Sequence, residues 1–565
     1  MNKLFNNGNS IIGSRLLIRK KFVTWQALIL VFLLSTAYMV VHAQVLKGLP
    51  PYVIIAVEVL IFLLVWNKAY QITYDLKLLF FFNGGYDAEL EFPDTHDYPA
   101  ITFIIPSYQE PFQVARMTLD SVINIPYKGK KEIIVVDNSK DIHARDFLAL
   151  QEYVRSLNAR YLEEEITAQF IHNPVRETLK PGNLDLAEKH IRHGEYVLIL
   201  DVDSTLPANG DLLEQCVAAF IADSKLGFLQ FTIKATNHHF NKLSQAVAFS
   251  QDLHRLRLTC RSYGGYKIFE GHNGMWRKSV LDKVGRWTDY YKGNIMITED
   301  ILKSARVYAN GYYGKSLHVI TGEWVPSSLN ALESMWMRWT YGTSQVLFKY
   351  FREIYSRYVS PIEKFDISYH ILHHFAHGFI FPFAMLLQLF IPGAATNLFL
   401  LAVYIIPQTT GAVTIYFRSA QKIPSSIIQR IRYVYTAFFL VDTFTMSTQL
   451  KSTINFLAGV PQGWKVTAKG VEKATGWREL LVSKSFHVSM AVGVLFLCLA
   501  SWGINYHFAP AALIHFALLA FMSLNLLLCI AVFGKEVQQS DNKVETAVID
   551  QQEALVLQEL QADVA

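Results

Sequence analysis

The sequence predicts an α/β domain inserted between two groups of membrane-spanning helices, and three observations predict it. Apolar residues make up 52% of the 565-residue chain against 18% charged, and they gather into long runs near both ends. Between those ends, from about Thr95 to Asn330, short β-branched runs alternate with mixed, helix-like stretches. The basic residues lie mostly beside the apolar runs, so a net charge of +5 suits membrane orientation and argues against a nucleic-acid partner.

At the N-terminus, Lys3, Arg15, Arg19, Lys20 and Lys21 precede an apolar run from about Thr24 to His42 that is long enough to cross a bilayer, which places the terminus in the cytosol. A second run, Tyr52 to Trp66, returns the chain. A hairpin is preferred to a signal peptide because the first run is long and no small-residue cleavage site is obvious after it. In the central region the strand candidates are Ala100 to Ile105, Glu132 to Val136, Tyr196 to Leu200 and Phe228 to Thr232. Strand alternating with helix predicts a parallel sheet whose ligands gather at the carboxyl ends of the strands, where Ser107, Asp137 and Asp201 fall. An aromatic-rich amphipathic stretch, Ala331 to Tyr358, comes next. Apolar runs at Ile371 to Ile391, Ala395 to Phe417, Phe486 to Trp502 and Ala511 to Phe533 then bring the expected spans to six. The run Val434 to Met446 is short, contains Asp442 and is flanked by Arg430, Arg432 and Lys451. Reading it as an interfacial helix keeps Arg418 to Lys484 on the cytosolic side. The organisation is therefore a membrane region at 1–94, a cytosolic domain at 95–330, interfacial helices at 331–365, a second membrane region at 366–534 and a polar tail at 535–565. Cys216, Cys260, Cys498 and Cys529 show no paired or metal-ligand spacing and read as ordinary buried thiols.

The sharpest local signal is Leu198-Ile199-Leu200-Asp201-Val202-Asp203, an apolar strand delivering two carboxylates to one side at its end. Hard oxygen ligands of this kind suit Mg2+ or Mn2+. By itself, Asp-x-Asp is more often a solvated turn. Thr298-Glu299-Asp300 is in isolation better read as the capped start of a helix, and Arg338-Trp339 as an interfacial anchor. His373 and His377 lie one helical turn apart, but without a third ligand packing or pore lining stands ahead of metal binding.

The company of these motifs changes their weight. Ile105-Pro106-Ser107-Tyr108-Gln109-Glu110, Val136-Asp137-Asn138, Lys180-Pro181-Gly182-Asn183, Phe269-Glu270-Gly271-His272-Asn273-Gly274, Thr298-Glu299-Asp300 and Arg338-Trp339 follow one another. In this order and spacing the set resembles the inverting family-2 glycosyltransferases, over about Ala100 to Tyr341. Trp464-Lys465-Val466-Thr467-Ala468-Lys469-Gly470, within a loop at 461–470, is similar to the gating loop of cellulose synthases and extends the resemblance to the membrane-embedded branch.

The resemblance implies a Rossmann-like nucleotide-sugar transferase domain of the GT-A type. It implies a UDP-sugar donor, UDP-glucose first, and Mg2+ or Mn2+. Tyr108, Glu110 and Asp137 would line the uridine pocket, Lys180 and Asn183 would steady the nucleotide sugar, and Asp201 and Asp203 would hold the diphosphate and metal. Asp300 would be the general base for the acceptor hydroxyl. Arg338 would contact the diphosphate, Trp339 would stack the acceptor sugar beside Glu299, His272 and Asn273, and Thr467 and Lys469 would close over the diphosphate. Three departures bear on this. The second strand ends in Asp137-Asn138 where the family has two aspartates, and Met335 stands where the Gln of the Gln-x-x-Arg-Trp motif is expected. The Gly271-His272-Asn273-Gly274 segment is closer to bacterial β-glucan synthases of the osmoregulated type. The whole is therefore expected to be a multi-pass protein of a bacterial inner membrane, its catalytic domain cytosolic, extending a glycan and passing it through its own helices, with accessory export subunits left open. One rival is a non-processive enzyme acting on a lipid-linked acceptor, which Met335 favours. The other is a degenerate transferase serving as transporter or scaffold, which would predict loss of Asp201, Asp203 or Asp300.

Overall fold

A computed structural model describes residues 50–80, 90–161, 165–208, 210–262, 265–383, 394–418, 426–462 and 510–533, with isolated positions at 36, 491 and 493–495. The strands are β1 (Ile101–Ser107), β2 (Lys131–Asp137), β3 (Ile166–His172), β4 (Tyr196–Ile199), β5 (Leu226–Ala235), β6 (Gly274–Arg277), β7 (Tyr290–Tyr291), β8 (Asn294–Ile295) and β9 (Tyr313–Glu323). The first helices are α1 (Pro51–Phe80), α2 (Phe112–Asn124), α3 (Arg145–Arg160), α4 (Leu179–Glu188), α5 (Leu212–Ala222), α6 (Lys242–Ser262) and α7 (Lys278–Lys283). They continue with α8 (Glu299–Ala309), α9 (Leu329–Ile354), α10 (Pro361–Phe375), α11 (Ala394–Arg418), α12 (Ile427–Tyr435), α13 (Asp442–Leu457) and α14 (Pro510–Phe533).

Seven strands form one sheet in the order β3-β2-β1-β4-β6-β5-β9. Strands β1 and β2 are buried along their whole length, which is why they read as continuous apolar runs without alternation. Phe103, Ile133, Leu198 and Val217 serve the core on one face, and Ile104, Ile134, Val197 and Trp276 the core on the other. Each such side chain contributes about 1.5–3 kcal/mol by leaving water.

The sheet is mixed, which corrects the expectation of a parallel one. β3, β2, β1 and β4 run parallel, but β6 pairs antiparallel with both β4 and β5. Between β5 and β6 the chain runs through α6. The chain enters that strand from the carboxyl end of β4, with Ile199 opposite Gly274, so Gly271–Asn273 lie beside Asp201. β3, β6 and β9 had no place among the strand candidates. β6 is only four residues long, and β9 carries the polar sequence YGKSLHVITGE.

Among the described residues, α1 is the one helix long and apolar enough to cross a membrane. Apart from the isolated positions 36, 491 and 493–495, the runs at 24–42 and 486–502 lie outside the described residues, as do the loop residues Thr467 and Lys469 and the tail at 535–565. α1 is fixed to the sheet domain by a buried fork: Arg257 on α6 donates through Nε and Nη2 to the two Asp75 carboxylate oxygens, at 2.6 and 2.7 Å. The run Val434 to Met446 belongs to a continuous helical path from Ile427 to Leu457, with a π-turn at Thr436–Val441. Ala437, Leu440, Val441, Phe444 and Met446 are buried there. α9 starts at an N-cap, Ser328 accepting from the Ala331 N–H at 3.2 Å, and packs against α8 and α13.

Candidate active site

The strand ends, the loop before β6, and helices α6, α8 and α9 surround one cavity of about 790 Å³. At one end Tyr108, Glu110, Asn138, Lys140 and Arg176 line it. Its middle holds Lys180, Asp201, Asp203, His272, Glu299, Asp300 and Arg338. Its far end passes Trp336 and Trp339 and continues among His370, His373, His374, His377 and Asp442 of the helical bundle.

β4 stops at Ile199, so Asp201 and Asp203 reach the cavity from a turn, closed by the Ser204 N–H on the Asp201 carbonyl at 3.0 Å, and not from the strand itself. Asp203 is buried and accepts from the Trp324 N–H at 3.0 Å. Asp201 faces Lys180, whose ammonium lies 2.6 Å from Oδ1 and 3.1 Å from the Gly271 carbonyl, with Glu299 at 3.8 Å. α4 supplies that lysine, and Asn183 from its next turn is spent on architecture. The Asn183 amide donates to the Val136 and Ser107 carbonyls and accepts from Asn173 Nδ2.

Glu299 and Asp300 open α8, with Thr298 at the N-cap position, so the helix-start reading and the site reading describe the same residues. The helix N-terminus favours negative charge there. Burial nonetheless pushes the Glu299 carboxyl up to about 7, opposed by Lys180 and reinforced by Asp300. Burial also raises Asp300, against the Ile301 N–H and Lys180. Two glycines permit the approach. A Cβ on Gly271, at φ +89°, would lie 3.3 Å from Asp300 Oδ2, and one on Gly342 would lie 2.4 Å from Thr298 Cγ2, where α9 crosses the start of α8.

On the opposite wall, His272 Nε2 lies 3.0 Å from Glu323 Oε2 at the end of β9, and Arg255 also binds Glu323. Burial alone would raise the Glu323 carboxyl, but Arg255 and His272 hold it down to about 2. Burial works against a charged His272, yet Asp201 and Glu323 keep the imidazole above its ordinary range.

Several sequence expectations meet different outcomes here. Tyr108, Glu110, Lys180, Asn183, Asp201, Asp203, His272, Glu299, Asp300, Arg338 and Trp339 all line the cavity. Asp137 does not: it is buried and accepts from the Ser139 N–H at 2.7 Å, and Asn138 forms the wall. Asn273 does not either. It is buried at φ +51°, with its amide on the Gly322 carbonyl, because the entry into β6 needs a left-handed residue. Trp336 is also part of the wall, its ring 5.2 Å from that of Trp339. Arg255, Glu270 and Glu323 had no assigned role. The polar face of α6 signals Arg255, whereas Glu323 closes a strand without a local signature.

Among the described residues no three His, Cys, Asp or Glu side chains converge to hold a metal. Asp201 and Asp203, two hard-oxygen donors open to one cavity, fit the mode in which a divalent cation takes one or two carboxylates and completes its shell with substrate phosphates and water.

Residues 102–285 match the family model described as Glycosyl transferase family 2, and residues 196–415 that described as Glycosyl transferase family group 2. Each match covers less than half of the chain, and together they make residues 102–415 similar to family-2 glycosyltransferase domains. A chain of Oryza sativa subsp. japonica described as "Probable glucomannan 4-beta-mannosyltransferase 6" is 25% identical over 390 residues, 66% of this chain and 63% of its own length. The poly-beta-1,6-N-acetyl-D-glucosamine synthase of Staphylococcus epidermidis is 25% identical over 255 residues, 44% of this chain and 56% of its own. The matches therefore span less than two thirds of either relative. Among solved structures, the mannosyltransferase PcManGT from Pyrobaculum calidifontis in complex with GDP-Man and Mn2+ is 17% identical, with a TM-score of 0.48 over 71% of this chain and 98% of that one.

Proposed function

We propose that the protein is an inverting β-glycosyltransferase that takes a nucleoside-diphosphate hexose, UDP-glucose first, and extends a glycan at the cytosolic face of a membrane. The observation that carries this reading is a half-buried carboxylate, Asp300, with Lys180, Asp201 and Arg338 in a cavity also walled by Trp336 and Trp339. In the reaction the acceptor oxygen bonds to the anomeric carbon as the bond from that carbon to the diphosphate oxygen breaks. The electron pair leaves with the nucleoside diphosphate, and the acceptor proton passes to Asp300. One displacement inverts the anomeric centre. Burial, by raising the Asp300 carboxyl, increases its strength as a base near neutrality. Lys180 and Arg338 bring positive charge to the diphosphate region. A Mg2+ or Mn2+ held by Asp201 and Asp203 would neutralise diphosphate charge.

The route of the product is part of the proposal. The cavity continues from the transfer site into the bundle, where His373, His374, His377, Gln408 and Asp442 line it. Such groups suit a hydroxyl-rich chain passing through helices. A second reading, transfer of one sugar to a lipid-linked acceptor, is favoured by the thioether of Met335 in the acceptor wall.

The test is a donor screen with radiolabelled UDP-glucose, GDP-mannose and UDP-N-acetylglucosamine on purified protein with Mg2+ or Mn2+, beside Asp300→Asn. A large, glycanase-sensitive product absent from the mutant supports chain extension. Label confined to a small lipid-extractable product supports the second reading. No turnover of any donor counts against both.

A further inference from the structure

α6 turns Gln251, His254, Arg255 and Leu258 to the cavity, a spacing of three and four residues that places them on one helical face. Arg255 is engaged by Glu323 and Glu270. Gln251, one turn earlier, is not so engaged. Its Nε2 lies 3.8 Å from the Met335 sulfur, a weak acceptor, and among the described residues its buried Oε1 has no hydrogen-bond partner. Native proteins seldom leave a buried amide carbonyl without a donor unless water or a ligand completes it. The wall beside it is aromatic, since Trp336 follows Met335 directly and its ring meets that of Trp339 at 70°. A hydrogen-bonding amide next to indole faces fits a sugar ring, whose C–H face packs on the aromatic surface while a hydroxyl meets the amide.

We propose that Gln251 orients the acceptor. Its Oε1 takes a hydrogen bond from a hydroxyl of the acceptor's terminal sugar packed on Trp336 and Trp339, and this fixes which other hydroxyl faces Asp300. The amide supplied by α6 thus restores, from another helix, the hydrogen-bonding group that Met335 lacks. The inference rests on the transfer reading above and deepens its acceptor side.

The experiment uses the purified full chain with UDP-[14C]glucose and cellotetraose as the acceptor probe, and reads label transferred to the oligosaccharide against label released as free sugar. In Gln251→Leu the transfer-to-hydrolysis ratio falls about ten-fold, with loss of a single product linkage on methylation analysis, and Gln251→Glu, which keeps an acceptor oxygen, recovers it to within about three-fold. A ratio within two-fold of wild type in Gln251→Leu, with unchanged linkage, overturns the proposal, as does a fall that Gln251→Glu leaves uncorrected. Should Gln251→Leu lose both products, Gln251→Met, which keeps the side-chain length, carries the comparison. Wild-type protein that neither transfers nor hydrolyses any donor instead brings down the transfer reading, and the Gln251 role with it.

Discussion

The two ends of the cavity are made of different materials. At the sheet end, charged side chains from strand termini and helix starts are matched to one another: Lys180 to Asp201, and Arg255 and His272 to Glu323. At the bundle end, imidazoles and amides from long helices line the space, His373 and His377 lying ring on ring at 6.0 Å. The sheet end suits a compact, highly charged ligand such as a diphosphate, and the bundle end a neutral ligand rich in hydroxyls. On the proposed reading, the two materials divide the chemistry of donor and acceptor between two parts of the fold.

The largest expected effect falls where the two ends meet. Asp300→Asn keeps the shape of the side chain and removes the proposed base, so turnover is expected to drop by about 10²–10⁴-fold, with donor affinity changed much less. A mutant that loses donor binding and turnover together, in an equilibrium binding assay beside the rate assay, would move Asp300 to the donor side of the division. Next in size is the joint between the halves. Asp75→Ala leaves the Arg257 guanidinium buried without its fork, at a cost of about 3–5 kcal/mol, and thermal unfolding in detergent is expected to show one lowered transition. Two separate transitions would show that the halves fold independently.

The pH profile gives a smaller and more specific test of the sheet end. A base works only when unprotonated, and burial raises both Asp300 and Glu299, the latter to about 7. Activity is therefore expected to rise with pH along a limb displaced above the ordinary carboxylate range, losing up to about ten-fold per unit on the acid side. A limb near the ordinary carboxylate range, around 4, would contradict a buried pair. The smallest effect is expected from Ser328→Ala. Loss of the N-cap should cost about 1 kcal/mol in stability while leaving turnover within two-fold, because the cap lies about three turns from Arg338 and Trp339.

Much of the sheet end was legible in the sequence because its chemistry sits at the ends of short apolar runs. Ile104, Val135 and Leu198 announce buried strands, and the residue that follows such a strand has few places to go but the carboxyl edge of the sheet. Asp137 shows the limit of that rule. It ends β2 as expected, but its carboxylate turns back to cap the Ser139 N–H, a local hydrogen bond that competes with any ligand. Asn273 failed for a related reason, since a residue held at positive φ to enter an antiparallel strand spends its side chain on the backbone. Glu323 and Gln251 could not be found by spacing at all, for each matters only through residues far away in the chain: His272 and Arg255 in one case, Met335 in the other.

By itself the sequence determined the α/β character of the central domain, the apolar ends and the carboxylates that reach the cavity, because burial pattern and strand termination are local properties. The tertiary structure alone decided that β6 runs backwards, that α6 packs against α9, and that the cavity at the strand ends is continuous with the helical bundle. Those outcomes depend on which elements become neighbours, and hydrophobic periodicity specifies that a face is buried without specifying what buries it.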